Sequence, residues 1–315
     1  MASSTVNREL RTYSPMNRYH TLARAWLEEV TEEDLIAYEG LPGLSCALPA
    51  HGEDPLTDLA VDFQRLFGFN VPPYESVFLD PSAMLMAPAT ARVEAFYRQA
   101  GWQPPVDARV GAADHIGLEL WLLGDLMGSG RLDMAQALVQ GHLAYWLPVL
   151  ARTLARLDAH AFYAALADET VDAVLALLRP PPGDVAFPEL PPAPRYLGHG
   201  MPEPEEEDDA GPGLKELVRH LLTPRQAGLY LTRDDLGRLS KRLQLPPVMS
   251  SRQRMLTQLF RLAGEYDEVE GLLAGLGAIL AAEDAAYAQL AERYPAWAPY
   301  ARLWQARLEA TRALV

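Results

Sequence analysis

His115 and Glu119 stand one helical turn apart in the stretch DHIGLELWLL and share a helix face, a spacing with which two side chains can hold one metal ion. Two ligands are too few for a site, and His20, His51, His142, His160, His199 and His220 are scattered along the chain. A hydrogen-bonded histidine beside a helix-capping Asp114 is therefore the better reading, although an Asp-His pair at a helix start also offers polar contacts to a ligand. Cys46, the single cysteine, lies in an ordinary apolar loop, and the chain has no G-x-S-x-G, no P-loop and no G-x-G-x-x-G. Nothing in the residues points to catalysis, a bound metal or a cofactor. Another kind of chemistry is more visible. Phe63, Leu66 and Phe67 fall on one helix face, which runs into the turn-rich Gly68–Pro73 and then into Tyr74-Glu-Ser-Val-Phe-Leu-Asp80. Aromatic residues that continue off a helix into a Pro-Pro loop are hard to bury, and an aromatic groove beside a loop holds an apolar peptide well. The plain structural alternative is core plus loop.

The elements that must position these residues have helical period almost throughout. In Asn17–Val30, Tyr19, Leu22, Ala23, Trp26, Leu27 and Val30 share a face. Thr31 with Asp34 forms a capping box for a second, short helix. Pro55–Phe69 follows the i, i+3, i+4, i+7 rule through Leu56, Leu59, Ala60, Phe63, Leu66 and Phe67. Thr90–Ala100 is helical and stops at Gly101. Asp114 N-caps a helix through about Met127, Leu132–Leu157 is a helix kinked at Pro148, and Ala161–Leu178 is helical. Helices follow near 214–222, 233–244, 251–264, 269–293 and 297–313. No run alternates as a strand does, so the fold is all-α with about a dozen helices.

Between Arg179 and Gly213, ten of 35 residues are proline and the segment ends in an acidic run, so it reads as an extended linker. Its apolar Val185, Phe187, Leu190 and Tyr196 can still lie against a neighbouring surface. The expected organisation is a helical domain over 1–180, a Pro-rich acidic linker over 181–213 and a smaller helical domain over 214–315.

With 315 residues of which 49% are apolar, the chain can bury a sizeable core. A lone cysteine excludes a disulfide framework and fits a reducing compartment. The first residues hold no apolar run, and no apolar stretch approaches the ~18–20 residues that span a bilayer, so a soluble cytoplasmic protein is expected. The net charge of −15 is unevenly spread: residues 1–178 carry −12, whereas 215–261 carry +7. An acidic front half repels nucleic acid and attracts basic peptides. The basic block 233–261, two short helices joined at Pro246-Pro247, resembles a helix-turn-helix pair, which keeps a DNA-binding regulator as the alternative function. The competing readings of that block are a solvated arginine face and a surface that docks onto acidic parts of the chain.

From Asn17 to Leu178 the chain resembles the TorD/DmsD family of cytoplasmic chaperones for molybdoenzymes. The resemblance is carried by FQRLFGFNVPPYESVFLD (63–80), then in order by Phe96-Tyr97 with Gly101, Asp114-His115 with Glu119-Leu120, and His142-Leu143 with Trp146-Leu147-Pro148. It implies an all-helical fold with no metal and no established enzyme activity. It also implies binding of the twin-arginine signal peptide of a DMSO-reductase-type enzyme, held in the cytoplasm until its molybdenum cofactor is inserted. The family's peptide-binding positions fall on Phe63, Leu66, Phe67, Tyr74, Asp114 and His115. Where the family often has an acid and a proline before the Asp-His pair, this chain has Gly111-Ala112-Ala113, so one negative contact for the arginines is missing. The implied partner is the apo molybdoenzyme, with the chaperone a monomer or dimer. The C-terminal 100 or so residues lie outside the family fold.

Overall fold

The computed structural model describes residues 17–48, 53–105, 108, 110–191 and 211–315. Tyr196 and the acidic run 203–209 lie outside them. Sixteen α-helices are described: α1 (Arg18–Leu27), α2 (Glu32–Glu39), α3 (Pro42–Ser45), α4 (Glu53–Phe63), α5 (Glu75–Leu79), α6 (Pro88–Ala100), α7 (Ile116–Gly128), α8 (Leu132–Leu138), α9 (Ala144–Arg156) and α10 (Ala161–Leu175) precede residue 179. α11 (Pro212–Leu222), α12 (Pro224–Ala227), α13 (Arg233–Arg242), α14 (Arg252–Glu265), α15 (Val269–Arg293) and α16 (Ala298–Arg312) follow residue 211. Among the described residues there is no strand, and no helix is long and apolar enough to cross a membrane.

Local chemistry sets the helix ends. The Asn17 side chain accepts from the amides of Tyr19 and His20, Thr31 and Thr232 form capping boxes with Asp34 and Asp235, and Ser251 accepts from Arg254 N. Gly101 closes α6 at φ 64°, a left-handed cap that suits glycine. α7 is apolar almost all round and occupies the centre of the front helices, against α1. Gly117 and Gly124 make that approach possible: a Cβ on Gly117 would stand 2.4 Å from Leu27 Cγ, and one on Gly124 would stand 2.5 Å from the His20 ring.

Two predicted helices are interrupted. Pro55–Phe69 is α4 followed by a π-helical segment, Gln64–Asn70, in which Val71 N donates to Leu66 O at 2.8 Å, five residues back. Leu132–Leu157 is α8, a π-helical turn at Val139–Leu143, then α9 with Pro148 inside it. Pro148 has no N–H to give to Ala144 O, and the indole of Trp297 donates to that carbonyl at 2.8 Å. Trp304 Nε1 donates to Tyr145 O at 2.7 Å, Tyr300 OH to Gln140 O at 2.9 Å, and Arg92 Nη1 to Gly141 O at 2.6 Å. The C-terminal helices therefore serve the carbonyls of the irregular stretch 140–145 directly, and Trp297 and Trp304 are fully buried there. Arg156 of α9 reaches Glu283 of α15 at 3.0 Å and the carbonyl of Tyr230, adding a polar tie across the same packing. Within the extended segment, Phe187 sits edge-on to Trp304 with the guanidinium groups of Arg225 and Arg307 over its ring. That is how the segment after residue 179 lies against its neighbours.

Candidate functional site

The six residues singled out by the sequence form two groups. In the first, Phe63, Leu66 and Phe67 turn inward from α4 and the π-helical segment. Phe67 packs 5.2 Å from Trp26 and 5.7 Å from Tyr163, Phe63 stands edge-on to Phe67, and Leu66 is fully buried. The group anchors the helix to α1 and α10.

In the second group, the Pro-Pro loop meets the start of α7. Tyr74 and His115 form an isolated antiparallel bridge, with Glu75 N donating to Asp114 O at 2.9 Å and Ile116 N donating to Pro73 O at 3.0 Å. The Tyr74 ring lies edge-on to the His115 ring, and its hydroxyl accepts from Gly111 N at 3.0 Å. Asp114 does not cap its own helix, as its position suggests it should. Its carboxylate accepts from Ser76 N at 2.7 Å, in the first turn of α5, and from the Thr90 hydroxyl at 2.9 Å, in the first turn of α6. It thus joins the starts of two other helices, while His115 caps α7 by accepting from Gly117 N on Nδ1. Both side chains are buried. Burial raises the Asp114 carboxyl, and burial pushes His115 down to about 3, so the imidazole is neutral and free to accept. No hydrogen bond or ring contact joins the two groups among the described residues. Of the six, only Phe63 and Tyr74 are partly exposed.

Beneath the loop lies a polar cluster that the sequence shows only in part. Glu75, fully buried, receives Arg92 Nη2 on Oε1 at 2.6 Å and His142 Nδ1 on Oε2 at 3.0 Å. Burial works to raise the Glu75 carboxyl, but the Arg92 and His142 charges together outweigh it and hold it below the usual carboxylate range. Glu119 points into the same cluster with neither carboxylate oxygen in a well-formed hydrogen bond, near a Trp146 indole that also lacks one. Burial, reinforced by the Glu75 and Asp114 charges, raises Glu119 well above its ordinary value and favours the protonated acid. Glu75, Glu119 and His142 present ligand atoms within 4.8 Å of one another, close enough to converge on a cation. The Arg92 guanidinium already supplies positive charge at Glu75. The pair His115/Glu119, which the helical spacing suggests as a chelate, is divided: His115 Nδ1 faces Gly117 and Glu119 faces this cluster.

The open surface lies on the other side of α4, away from the six predicted residues. Val61, Gln64 and Phe69 are exposed and form one wall of a groove of about 1500 Å³; the opposite wall is the α13–α14 turn with Pro247, Val248 and Met249. The groove is mostly apolar, and Phe69 enters it from the side of the helix opposite Phe63 and Phe67. A lone methionine after Pro246-Pro247 was the available signal: Met249 is 94% exposed, and such a side chain on a structured turn is uncommon. The basic helix pair stands here, with several charges already engaged: Arg252 donates to Leu231 O and stacks 4.0 Å from the Tyr230 ring centroid, and Arg238 pairs with Asp235.

No curated protein matches the sequence in a direct comparison. Residues 32–152, which run from α2 into α9 and include the Pro-Pro loop, Asp114-His115 and the Glu75 cluster, match the family described as nitrate reductase delta subunit, so the front helices are similar to that TorD-like family of molybdoenzyme maturation chaperones.

Proposed function

We propose that the protein binds the twin-arginine signal peptide of a molybdopterin-dependent oxidoreductase of the DMSO-reductase type and holds it in the cytoplasm, without catalysing a reaction, until cofactor insertion precedes export. The observation that carries this reading is the family match over 32–152, which includes the loop–helix junction of Tyr74 with Asp114-His115. The charge agrees, since residues 1–178 carry a net −12 and a signal's basic n-region is drawn to such a field. Tyr74 and Phe63 are the candidate residues a peptide reaches first, and Leu66, Phe67, Asp114 and His115 act from beneath by fixing the helix and loop that present them.

The test is calorimetric titration of the full chain with a synthetic twin-arginine signal peptide. Binding with a negative heat-capacity change is expected, because an apolar h-region is buried. Tyr74→Ala should weaken binding by about 1–3 kcal/mol, an ordinary cost for an interface anchor, with the melting temperature within a few degrees of the parent. Unchanged affinity in that variant would displace the site from the loop. Absence of binding by the parent would remove the signal-peptide reading.

A further inference from the structure

The apolar groove continues into a second one. Beyond Phe69, Arg233 and Ser250, which line both, a groove of about 1440 Å³ runs between α11 and α14. Its walls carry Lys215, Arg219, Arg233, Arg252, Arg254 and Arg261, and among the described residues that line it Glu216 is the single acid. Lys215 and Arg219 are exposed on one wall, and the floor includes Tyr230, Thr223 and Thr257, all buried. This is a local reversal of sign in a chain of net −15. Cations gathered along the walls of a cleft focus their field into it, so the groove attracts anions more strongly than the same charges would on a flat face.

We propose that the two grooves together form a docking site for an acidic, partly apolar segment of a partner protein. Its apolar side chains would seat against Val61, Val248 and Met249, and its carboxylates between Lys215, Arg219 and Arg233. The basic end of a twin-arginine signal is repelled from the second groove by like charge. The segment is therefore a different part of a partner, and the inference stands whether or not the signal-peptide reading does. The apolar half favours a polypeptide over a nucleic acid, which has no long aliphatic stretch to place beside Met249.

Fluorescence anisotropy with the full chain tests this. Three labelled probes are compared at low and physiological salt: a short leucine-rich stretch followed by a run of glutamates, the same stretch followed by lysines, and an oligo-dT of equal negative charge. The glutamate peptide should bind best and weaken as salt rises. Lys215→Ser with Arg219→Ser should reduce its affinity about five- to ten-fold, and Met249→Ser should also lower it, all three sites being exposed enough to leave the melting temperature unchanged. Equal binding of the lysine peptide, or tighter binding of oligo-dT, would overturn the proposal. A second protein with serine at Glu203, Glu205, Glu206, Glu207, Asp208 and Asp209 is titrated in parallel. Binding by neither protein refutes the site. Binding by this variant alone assigns the groove to the chain's own acidic run and overturns an external partner.

Discussion

Replacing Arg92 with methionine isolates the charge balance of the buried polar cluster, because the thioether keeps most of the volume and none of the charge. Arg92 makes two short bonds, to Glu75 Oε1 and to Gly141 O, both at 2.6 Å. Glu75 is fully buried, so losing its guanidinium leaves a carboxylate held by His142 alone. Breaking a buried pair on one side costs about 3–5 kcal/mol, and the orphaned Gly141 carbonyl adds to that. The parent Glu75 has a lowered folded pKa, so its contribution to stability is present above the ordinary carboxylate range and is lost as pH falls through the folded value. In the variant, burial without Arg92 favours the protonated acid, and stability falls as pH rises. The cost of Arg92→Met should therefore be near its full size at pH 8 and clearly smaller at pH 5. Urea unfolding at both pH values, followed by far-ultraviolet dichroism and tryptophan fluorescence, measures it. The double variant Glu75→Gln, Arg92→Met should recover much of the loss at pH 8, because it removes the stranded charge. A cost below about 1 kcal/mol, or one equal at both pH values, would refute the assigned role of Arg92.

Two further outcomes are expected. Trp304→Ala removes a fully buried ring and the indole bond to Tyr145 O, which should cost about 3–5 kcal/mol in urea unfolding; a loss under 1 kcal/mol would mean that α16 does not hold α9. Glu119 has a raised folded pKa, so the folded state keeps a proton that the unfolded state releases, and stability falls as pH rises above the ordinary carboxylate range. Glu119→Gln keeps the shape of the neutral acid and should be more stable than the parent by a margin that grows between pH 5 and pH 8, whereas a parent more stable than the variant at pH 8 would show that the carboxylate is ionised and held.

Much of the helical frame is legible because it depends on local chemistry. Asn17, Thr31, Thr232 and Ser251 each satisfy amides within three residues, and α15 occupies Val269–Arg293 as its periodicity predicts. The misreadings occur where a distant group settles a local choice. Asp114 has the sequence of an N-cap, but its best donors are Ser76 N and the Thr90 hydroxyl, 38 and 24 residues away, and His115 takes the capping role in its place. The apolar spacing in Pro55–Phe69 fits a regular helix. The change to five-residue bonding at Leu66–Val71 interrupts that helix while leaving Leu66 and Phe67 buried. A pattern of period 3.6 sets Val61 and Phe69 opposite Phe63, Leu66 and Phe67, but it cannot show the five-residue bonding, nor that the α13–α14 turn stands over that second face and makes it a groove.

The same reasoning explains why the helices after residue 211 matter to the front ones. A proline inside α9 and a π-helical turn before it leave carbonyls without a helical partner among the front helices, and unpaired buried carbonyls are costly. Trp297 and Trp304 donate to two of them, at Ala144 and Tyr145, and Tyr300 donates to a third, at Gln140. Arg92 completes the set at Gly141 while it neutralises Glu75 beneath the Pro-Pro loop. The irregular stretch 139–148 is thus braced from one side by the C-terminal helices and from the other by the polar cluster. Those C-terminal helices also bring α13 and α14 up to the outward face of α4 and so complete both grooves. The start of α13 is tied to the front helices by its own contacts, since Arg65 pairs with Asp234 at 2.8 Å and Asn70 Oδ1 accepts from Asp234 N at 3.2 Å, and these set the α13–α14 turn opposite Val61 and Phe69.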